Sequence, residues 1–496
     1  MLLSDYLRQH LDHDRKSPQG PLNRQIYHLL RQAILQSHWP TNMRLQSSRA
    51  LADELGVSRN TVLHAFEQLI AEGYLVSRHR SGTYVSETVP GRLAQTGSVS
   101  SVADGQGGPG LSQRGFRVLR DAAIVGSPSG AFALGMSDVE GFPRAAWARL
   151  LGRYWRHAPA DLLNYAHSGG YLPLRQALAQ HLRISRSIVC EPEQVIITSS
   201  IQQSIALISQ MLADEGDSVW VEEPGYRPAR SLLRAHGLKL VPVPVDAEGM
   251  APQGRLLSKP PRLMYVTPSH QFPLGMVMSL ARRRMLLDYA HRHGVWILED
   301  DYDSEFRYEG RVLASVQGLD DQGRVIYMGS MSKTLFPGIR SGYVVLPERL
   351  AQQCADGFAE LYRDGQLIQQ AALADFISQG LYAAHIRRVR QRYDRKQTVL
   401  RAAIARRFGK WAVSPHEAGL HLVLHFPPDT AAGADIAIVE ESQRQGVVTR
   451  ALSLHYQDGK AARQGLLLGY AGVAETAITP AFEKLADIVE RVLQWR

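Results

Sequence analysis

Cysteine is almost absent: Cys190 and Cys354 are the only two in 496 residues. Two isolated thiols build neither a disulfide framework nor a metal-ligand pattern, and such sparing use fits a reducing cytoplasm. Long apolar runs are missing too. No stretch approaches the roughly 18 uncharged apolar residues of a membrane span, and the start, Met1-Leu2-Leu3-Ser4-Asp5-Tyr6-Leu7-Arg8, acquires charge at once. A protein that is neither exported nor membrane-spanning is expected. Extremes of composition are also lacking: hydrophobic residues make up 45% and charged residues 21%, the balance of a folded chain rather than a disordered one. The length suggests about three domain-sized units.

What charge there is leans basic. A formal +9 permits a polyanionic partner, yet residues 1–90 hold ten Lys/Arg against eight Asp/Glu. Any nucleic-acid reader there must therefore stand on its motif. Residues 87–115 are rich in Ser, Gly, Gln and Thr and poor in large apolar side chains, so they bury too little to offset their ordering entropy. The expected plan is a first domain over 1–86, a flexible tether over 87–125 and a larger domain over 126–496. Within the last, a sheet domain spans about 160–375 and a C-terminal part about 376–496. An ordered loop lying on the larger domain is the alternative reading of the tether.

In the first region, Leu22, Ile26, Leu29, Leu30, Ala33 and Ile34 share a helical face that stops at Trp39-Pro40. A short helix from Ser48 to Leu55 ends at Gly56, and Ser58 caps a third whose buried stripe is Val62, Phe66, Leu69 and Ile70. Tyr74 to Val76 and Thr83 to Val85 read as a hairpin. This is the plan of a winged helix-turn-helix, whose third helix enters the major groove by its N-terminus. Arg59 offers a fork to guanine and Asn60 reads adenine, while Ser58 and Thr61 reach phosphates. Arg44, Ser48 and Arg49 track the backbone, and Arg78, Arg80, Gly82 and Thr83 form the wing tip. A small helical module with a solvated polar face fits the same periodicity.

These residues resemble the DNA-binding domain of GntR-type bacterial regulators: Pro21-Leu22, Gln25-Ile26, Arg44-Leu45, Ser47-Ser48-Arg49, Leu51-Ala52, Leu55 to Val62, Glu72-Gly73-Tyr74 and Ser81 to Val85. Gln46 departs from the proline frequent before the paired serines.

From about residue 130, short apolar strands alternate with helices, the signature of a mostly parallel α/β sheet. Seven strands are expected, at Val195 to Thr198, Ser218 to Val221, Leu238 to Val243, Leu263 to Val266, Val295 to Leu298, Val325 to Met328 and Gly342 to Leu346. A basic helix near Ile386 to Lys410 follows, then strands at Leu420 to Phe426 and Leu466 to Gly469, and a last helix opened by Thr479-Pro480. The basic stretch reads as a solvated face or a DNA backbone contact.

Ligands of open α/β sheets bind beyond the carboxyl ends of the strands. The residues found there are Ser199, Ser200, Ile201 and Gln202; Asp300 and Tyr302; and Ser330, Ser332 and Lys333, with Arg340 a little further on. Pyridoxal phosphate needs an amine, a carboxylate for its ring nitrogen and anion donors for its phosphate. Lys333, Asp300, and Ser330, Ser332 and Arg340 can supply these, with Tyr302 on the ring hydroxyl.

Residues 130–490 resemble class I aminotransferases of PLP fold type I, through Asn164-Tyr165, Gly170 to Arg175, Glu223-Pro224-Gly225-Tyr226, Pro268 to Gly275, Glu299 to Tyr308 and Ser330 to Leu335. With the first domain, the whole chain is similar to MocR/GabR-type regulators. The resemblance implies that Lys333 forms the Schiff base, Asp300 pairs with the pyridine nitrogen, Tyr302 meets the phenolic oxygen, Tyr226 stacks on the ring and Arg340 binds phosphate. Ser200, Ile201 and Gln202 would join the phosphate turn, and His270 and Gln271 would line the pocket. It also implies a homodimer, with a domain crossing between subunits as one arrangement. Aminotransferases hold the substrate carboxylate with an arginine in a late strand, but here that strand is Gly465-Leu466-Leu467-Leu468-Gly469-Tyr470. Arg227, Arg230, Arg450 and Arg463 lie nearby in sequence, Arg227 and Arg450 being the candidates for an effector carboxylate. The expected function is a transcriptional regulator on operator DNA that senses PLP itself or a small amine or amino acid. A working aminotransferase with a DNA-binding appendage, and a DNA-binding protein whose large domain only dimerises, are the alternatives.

Overall fold

The computed structural model describes residues 3–11, 20–36, 38–78, 81–87, 110–119, 130–165, 169–308, 314–363, 365–409, 411, 413–415, 418–459 and 462–494. They fall into two units, Met1–Pro109 and Gly110–Arg496.

In the first unit, Leu3, Tyr6 and Leu7 bury one side of α1 (Leu3–His10), an element not anticipated from sequence although its spacing is helical. Tyr6 sets its ring edge-on to Trp39 at 5.5 Å. The anticipated helices follow as α2 (Leu22–Leu35), α3 (Ser48–Leu55) and α4 (Arg59–Ala71). Ser47 caps α3 by accepting from the Ala50 amide at 3.2 Å, and Gly56 ends it with φ 67°, a left-handed conformation that side chains with Cβ resist. Ser58 caps α4, accepting from the Thr61 amide at 3.1 Å. Ile26, Leu30, Ile34, Leu51, Val62, Phe66 and Leu69 form one core; each such side chain contributes about 1.5–3 kcal/mol on leaving water. Strands β1 (Leu75–Arg78) and β2 (Gly82–Val85) pair antiparallel, Leu75 opposite Val85.

Most of the expected tether lies outside the described residues. The part that is described is not a tether throughout: Gln113–Leu119 is helix α5. The Ser112 hydroxyl accepts from the Gly115 amide at 3.1 Å, and Arg117 pairs with Glu215 at 3.4 Å. Local capping and a docking contact thus order a stretch whose composition alone argued for freedom.

The second unit continues with α6 (Arg144–Arg156), α7 (Leu172–Arg186), β3 (Val195–Thr198), α8 (Ile201–Leu212), β4 (Ser218–Glu223), α9 (Arg227–Ala235), β5 (Lys239–Asp246), β6 (Gly249–Met250), β7 (Leu263–Val266), α10 (Leu280–His293), β8 (Trp296–Asp301), β9 (Val325–Ser330), α11 (Met331–Thr334) and β10 (Gly342–Val345). The sheet order is β3-β10-β9-β8-β7-β4-β5-β6. Core strands pair parallel, while β10 runs antiparallel to both β3 and β9. The seven expected strands are joined by an eighth, β6, a two-residue return of the chain against β5. Strands such as β3 and β8 are buried along their whole length, as sheets covered on both faces require. Ile197 joins the core under Leu174 and Leu178, while Ile196 faces Ile205 and Ile208 of α8.

After α12 (Glu348–Tyr362) and α13 (Leu367–Ser378), the 28-residue α14 (Leu381–Phe408) leads to β11 (His421–His425), α15 (Ala434–Arg444), β12 (Arg450–Ala451), β13 (Gly465–Gly469) and α16 (Glu475–Leu493). These three strands form a separate antiparallel sheet, β11-β13-β12. Two expectations change here. The last helix begins at Glu475, placing Pro480 inside it; the first turn is held by Ile478, fully buried, despite the amide that proline cannot donate. The basic stretch is also more than a solvated face. Arg407 reaches Glu483, Asp487 and Glu490 of α16 at 3.2, 2.6 and 2.6 Å, and Arg392 and Lys396 both meet Asp138.

Among the described residues no helix is long and apolar enough to cross a membrane.

Candidate functional site

Parallel strands deliver their C-terminal residues to one edge, and there β8, β9 and β3 bring the expected residues together. Lys333 lies in the single turn α11 directly after β9, its amine donating to the Gly135 carbonyl at 2.9 Å. Asp300, on β8, accepts a short hydrogen bond from the Tyr265 hydroxyl through Oδ2, while its buried Oδ1 has no hydrogen-bond partner. Burial pushes the Asp300 carboxyl up to about 7, Asp301 and Asp303 adding to the rise while Tyr265 and Lys333 oppose it. Burial also lowers the pKa of Lys333, against the pull of Asp303 and Asp300. The amine is thus eased toward its neutral, nucleophilic form.

Tyr302 donates to the His270 carbonyl and meets the His270 Nδ1, both at 3.0 Å. Asp303 lies 2.8 Å from the same Nδ1. Phe272 packs edge-on against Tyr226 at 5.3 Å and Tyr302 at 6.0 Å, so these rings border one space. The Gln271 amide donates to Glu222 at 3.2 Å and to the Pro224 carbonyl at 2.9 Å. Glu222 is likewise pushed up to about 7 by burial.

The anion corner lies around Gly342, which pairs with Thr198 on one side and Ser330 on the other. Ser330 caps α11 by accepting from the Ser332 amide at 3.2 Å, and Ser200 caps α8 by accepting from the Gln203 amide at 3.3 Å. The first-turn amides of Ile201 and Gln202 have no carbonyl within the helix to meet. Arg340, exposed and with φ 47°, lines a cavity of about 180 Å³ with Ser199, Gln203 and Ser341.

Two acids held near 7 have a consequence for stability. The folded chain retains protons that the unfolded chain releases near pH 4, so stability falls as pH rises through that window. Buried His421 and His455, held down to about 3, work the other way, because the unfolded chain binds their protons below about pH 6.5. The Asp300 share is therefore read as a difference: between about pH 5 and about pH 7.5 the wild type without added ligand should lose stability relative to Asp300→Asn. Calorimetric Tm against pH checks this; an Asp300→Asn slope equal to the wild type's would refute it.

The candidate nucleic-acid surface is the start of α4. Arg59 and Asn60 are exposed, and Ser58 Oγ lies 2.8 Å from Thr61 Oγ1, which uses one of the two hydroxyl protons and leaves the other for a partner. Arg44 and Arg49 are exposed and Ser48 is half-buried. A Cβ at Gly82 would come within 3.1 Å of Arg44 Nε, so glycine keeps the hairpin close to that guanidinium. Thr83 is half-buried in β2, Arg78 donates to Asn42 at 2.7 Å, and Arg80 lies outside the described residues.

The two effector candidates lie on different elements. Arg227 lines a different cavity with Arg230 and Arg234, and Arg450 on β12 stands opposite Leu467 of β13. Sequence reasoning missed Asp303 and Tyr265, which contact His270 and Asp300, and Gly135, where a Cβ would sit 2.5 Å from Lys333 Nζ. Asp303 carried a signal, three residues after Asp300; Gly135 carried none.

Residues 132–459 match the family described as aminotransferase class I and II, and residues 22–85 match bacterial regulatory proteins, gntR family. The chain is 42% identical to the probable rhizopine catabolism regulatory protein MocR of Rhizobium meliloti over 461 residues, covering 91% of this chain and 90% of that one. It is 29% identical to the HTH-type pyridoxine biosynthesis transcriptional regulator PdxR of Corynebacterium glutamicum over 479 residues, 96% and 97% of the two chains. Among solved structures, LysN, an alpha-aminoadipate aminotransferase of Thermus thermophilus complexed with N-(5'-phosphopyridoxyl)-L-leucine, is similar with a TM-score of 0.68 and 25% identity, covering 78% of this chain and 98% of that one.

Proposed function

Because the chain belongs to the MocR-type, GntR-family transcriptional regulators that carry an aminotransferase class I and II domain, we propose that it binds pyridoxal phosphate at Lys333 and uses that domain as a sensor controlling operator binding. One observation carries the cofactor reading: a buried carboxylate oxygen, Asp300 Oδ1, is left without a partner beside a desolvated lysine amine. A buried acid in that state calls for a cationic N–H. The close approach at Gly135 and the donors at Ser330, Ser332, Ile201, Gln202 and Arg340 fit the remaining ends of the molecule.

Pyridoxal phosphate, when bound, supplies an aldehyde able to combine with a primary amine. The chain does the rest. Lys333 provides the amine that holds it, Asp300 keeps a proton on the ring nitrogen, and Tyr302, oriented by the His270–Asp303 pair, is placed for the ring hydroxyl. Phe272 and Tyr226 close the apolar side against water. The signal is PLP itself or a small amine or amino acid. The relatives' names span both kinds, one naming rhizopine catabolism and the other pyridoxine biosynthesis.

On the DNA side, α4 reads bases with Arg59 and Asn60 while Ser58, Thr61, Arg44, Ser48, Arg49, Arg80, Gly82 and Thr83 hold the backbone. The chain works in the cytoplasm as a homodimer on paired half-sites, and the output is a change in DNA affinity rather than product. Coupling needs only that ligand binding stabilise one of two arrangements more than the other. A duplex selected by the protein from random sequence should therefore bind with an affinity that PLP or an added amine shifts about 5–150-fold, with no steady-state transamination of an amino donor and keto acceptor. Sustained turnover with ligand-independent duplex affinity would favour an enzyme instead.

A further inference from the structure

Helix α4 carries an apolar side chain that the fold does not use. Its buried stripe is Val62, Ala65, Phe66 and Leu69. Leu63 stands outside that stripe, 36% exposed, and belongs neither to the core of the first unit nor to the apolar side chains packed against it. A single exposed leucine is ordinary on a protein surface, so its neighbours decide what it means. Leu63 comes four residues after Arg59 and three after Asn60, both exposed, and side chains at those spacings meet on one helical face, a turn apart. His64, the next residue, is exposed as well. The outer face of the first two turns thus presents a guanidinium, an amide, a leucine and an imidazole.

That mixture matches what the floor of a major groove displays. Purine edges offer the donors and acceptors that arginine and asparagine meet, and thymine adds a C5-methyl group, which only an apolar contact can read. Leu63 brings no hydrogen-bonding group of its own, and covering it against a methyl removes apolar surface from water on both sides. Its direction is fixed by its neighbours. Val62, directly before it, is fully buried, and the Ser58 cap closes the first turn through the Thr61 amide at 3.1 Å, so Leu63 cannot turn inward without pulling the stripe out of the core. One turn of helix rises about 5.4 Å against about 3.4 Å between stacked bases. Leu63 therefore comes down beside the bases that Arg59 and Asn60 reach, not on them.

We propose that Leu63 is a specificity-determining residue of the DNA surface, reading the C5-methyl of a thymine next to the bases contacted by Arg59 and Asn60. This rests on α4 being the element that reads DNA, and goes beyond it by naming a base and the group on it that is read. The contact is independent of the phosphate contacts of the exposed Arg44 and Arg49. Those set affinity for any duplex and its dependence on salt, whereas Leu63 adds a preference among sequences that salt does not screen.

The test uses the full-length protein and the duplex it selects from random sequence, with each thymine replaced singly by deoxyuridine. That exchange removes the methyl and keeps every base-pairing and groove hydrogen-bonding group. The wild type should lose about fourfold in affinity, the share of one methyl-sized group leaving an apolar contact, at one thymine in each half-site and little elsewhere. Leu63→Ala should bind the thymine and deoxyuridine duplexes alike, with the salt dependence of binding unchanged. Its melting temperature should match the wild type's, because the side chain is exposed and alanine favours a helix. Leu63→Met, apolar and of similar volume, should keep part of the methyl preference. A deoxyuridine penalty of equal size in the wild type and Leu63→Ala would assign the effect to duplex shape and overturn the proposal, as would a selected sequence with no position sensitive to the methyl. Either result leaves α4 as the DNA reader; failure to select any duplex would overturn that reading and this proposal with it.

Discussion

Lys333→Ala should abolish the borohydride-fixable attachment of pyridoxal phosphate and erase the effect of that ligand on duplex affinity, while the protein still binds DNA. Lys333 is the amine on α11 next to both Asp300 and Asp303, and alanine removes the amine proposed to bond covalently to the aldehyde. The phosphate donors around Gly342 stay in place, so weak, reversible association remains. Thermal stabilisation measures the difference: a ligand at a hundredfold its Kd stabilises by about 2.7 kcal/mol, and the variant should need far more ligand for the same rise in Tm. A wild-type-like rise at equal concentration, with the label still fixed, would contradict this.

Arg59→Ala should cost the protein its preferred duplex but not its cofactor. Arg59 is exposed at the first position of α4, beside the Ser58 cap. A bidentate contact with one base contributes about 1–3 kcal/mol of discrimination, or roughly 5–150-fold in affinity for the selected site. Binding to unrelated DNA, governed by phosphate contacts, should change little. Removing a cation from a helix N-terminus does not threaten the fold, so loss of binding would not reflect unfolding. A mobility shift on selected duplex with no change in affinity would remove Arg59 from the recognition surface.

Much of the architecture was legible because it is local. The stripe through Ile26, Leu30 and Ile34, the cap at Ser58 and the left-handed Gly56 each announce themselves within a few residues. Most strands of the large sheet were legible for a different reason: β3, β7 and β10 are buried on both faces and apolar along nearly their whole length, and β4, β8 and β9 open with apolar runs. Lys333, Asp300, Tyr302 and Ser330 could be found because chemistry in such a sheet gathers at strand ends. Partners chosen by tertiary packing could not. Gly135 meets an amine 198 residues away, and Tyr265 sits inside a strand where its hydroxyl has no sequence mark. The same limit explains the arginines. Arg227 and Arg450 were picked for proximity in sequence, and only the structure sets Arg227 at the start of α9 on the wall of a second cavity and Arg450 on β12 opposite Leu467. Pro480, a first-turn residue by local rules, lies inside α16 because the burial of Ile478 and Phe482 extends the helix back to Glu475.

The most direct measurement is mass spectrometry of the full-length protein incubated with pyridoxal phosphate, reduced with borohydride and digested. A single phosphopyridoxyl label on the peptide containing Lys333 is the predicted result; a label on any other lysine, or none, would contradict the account.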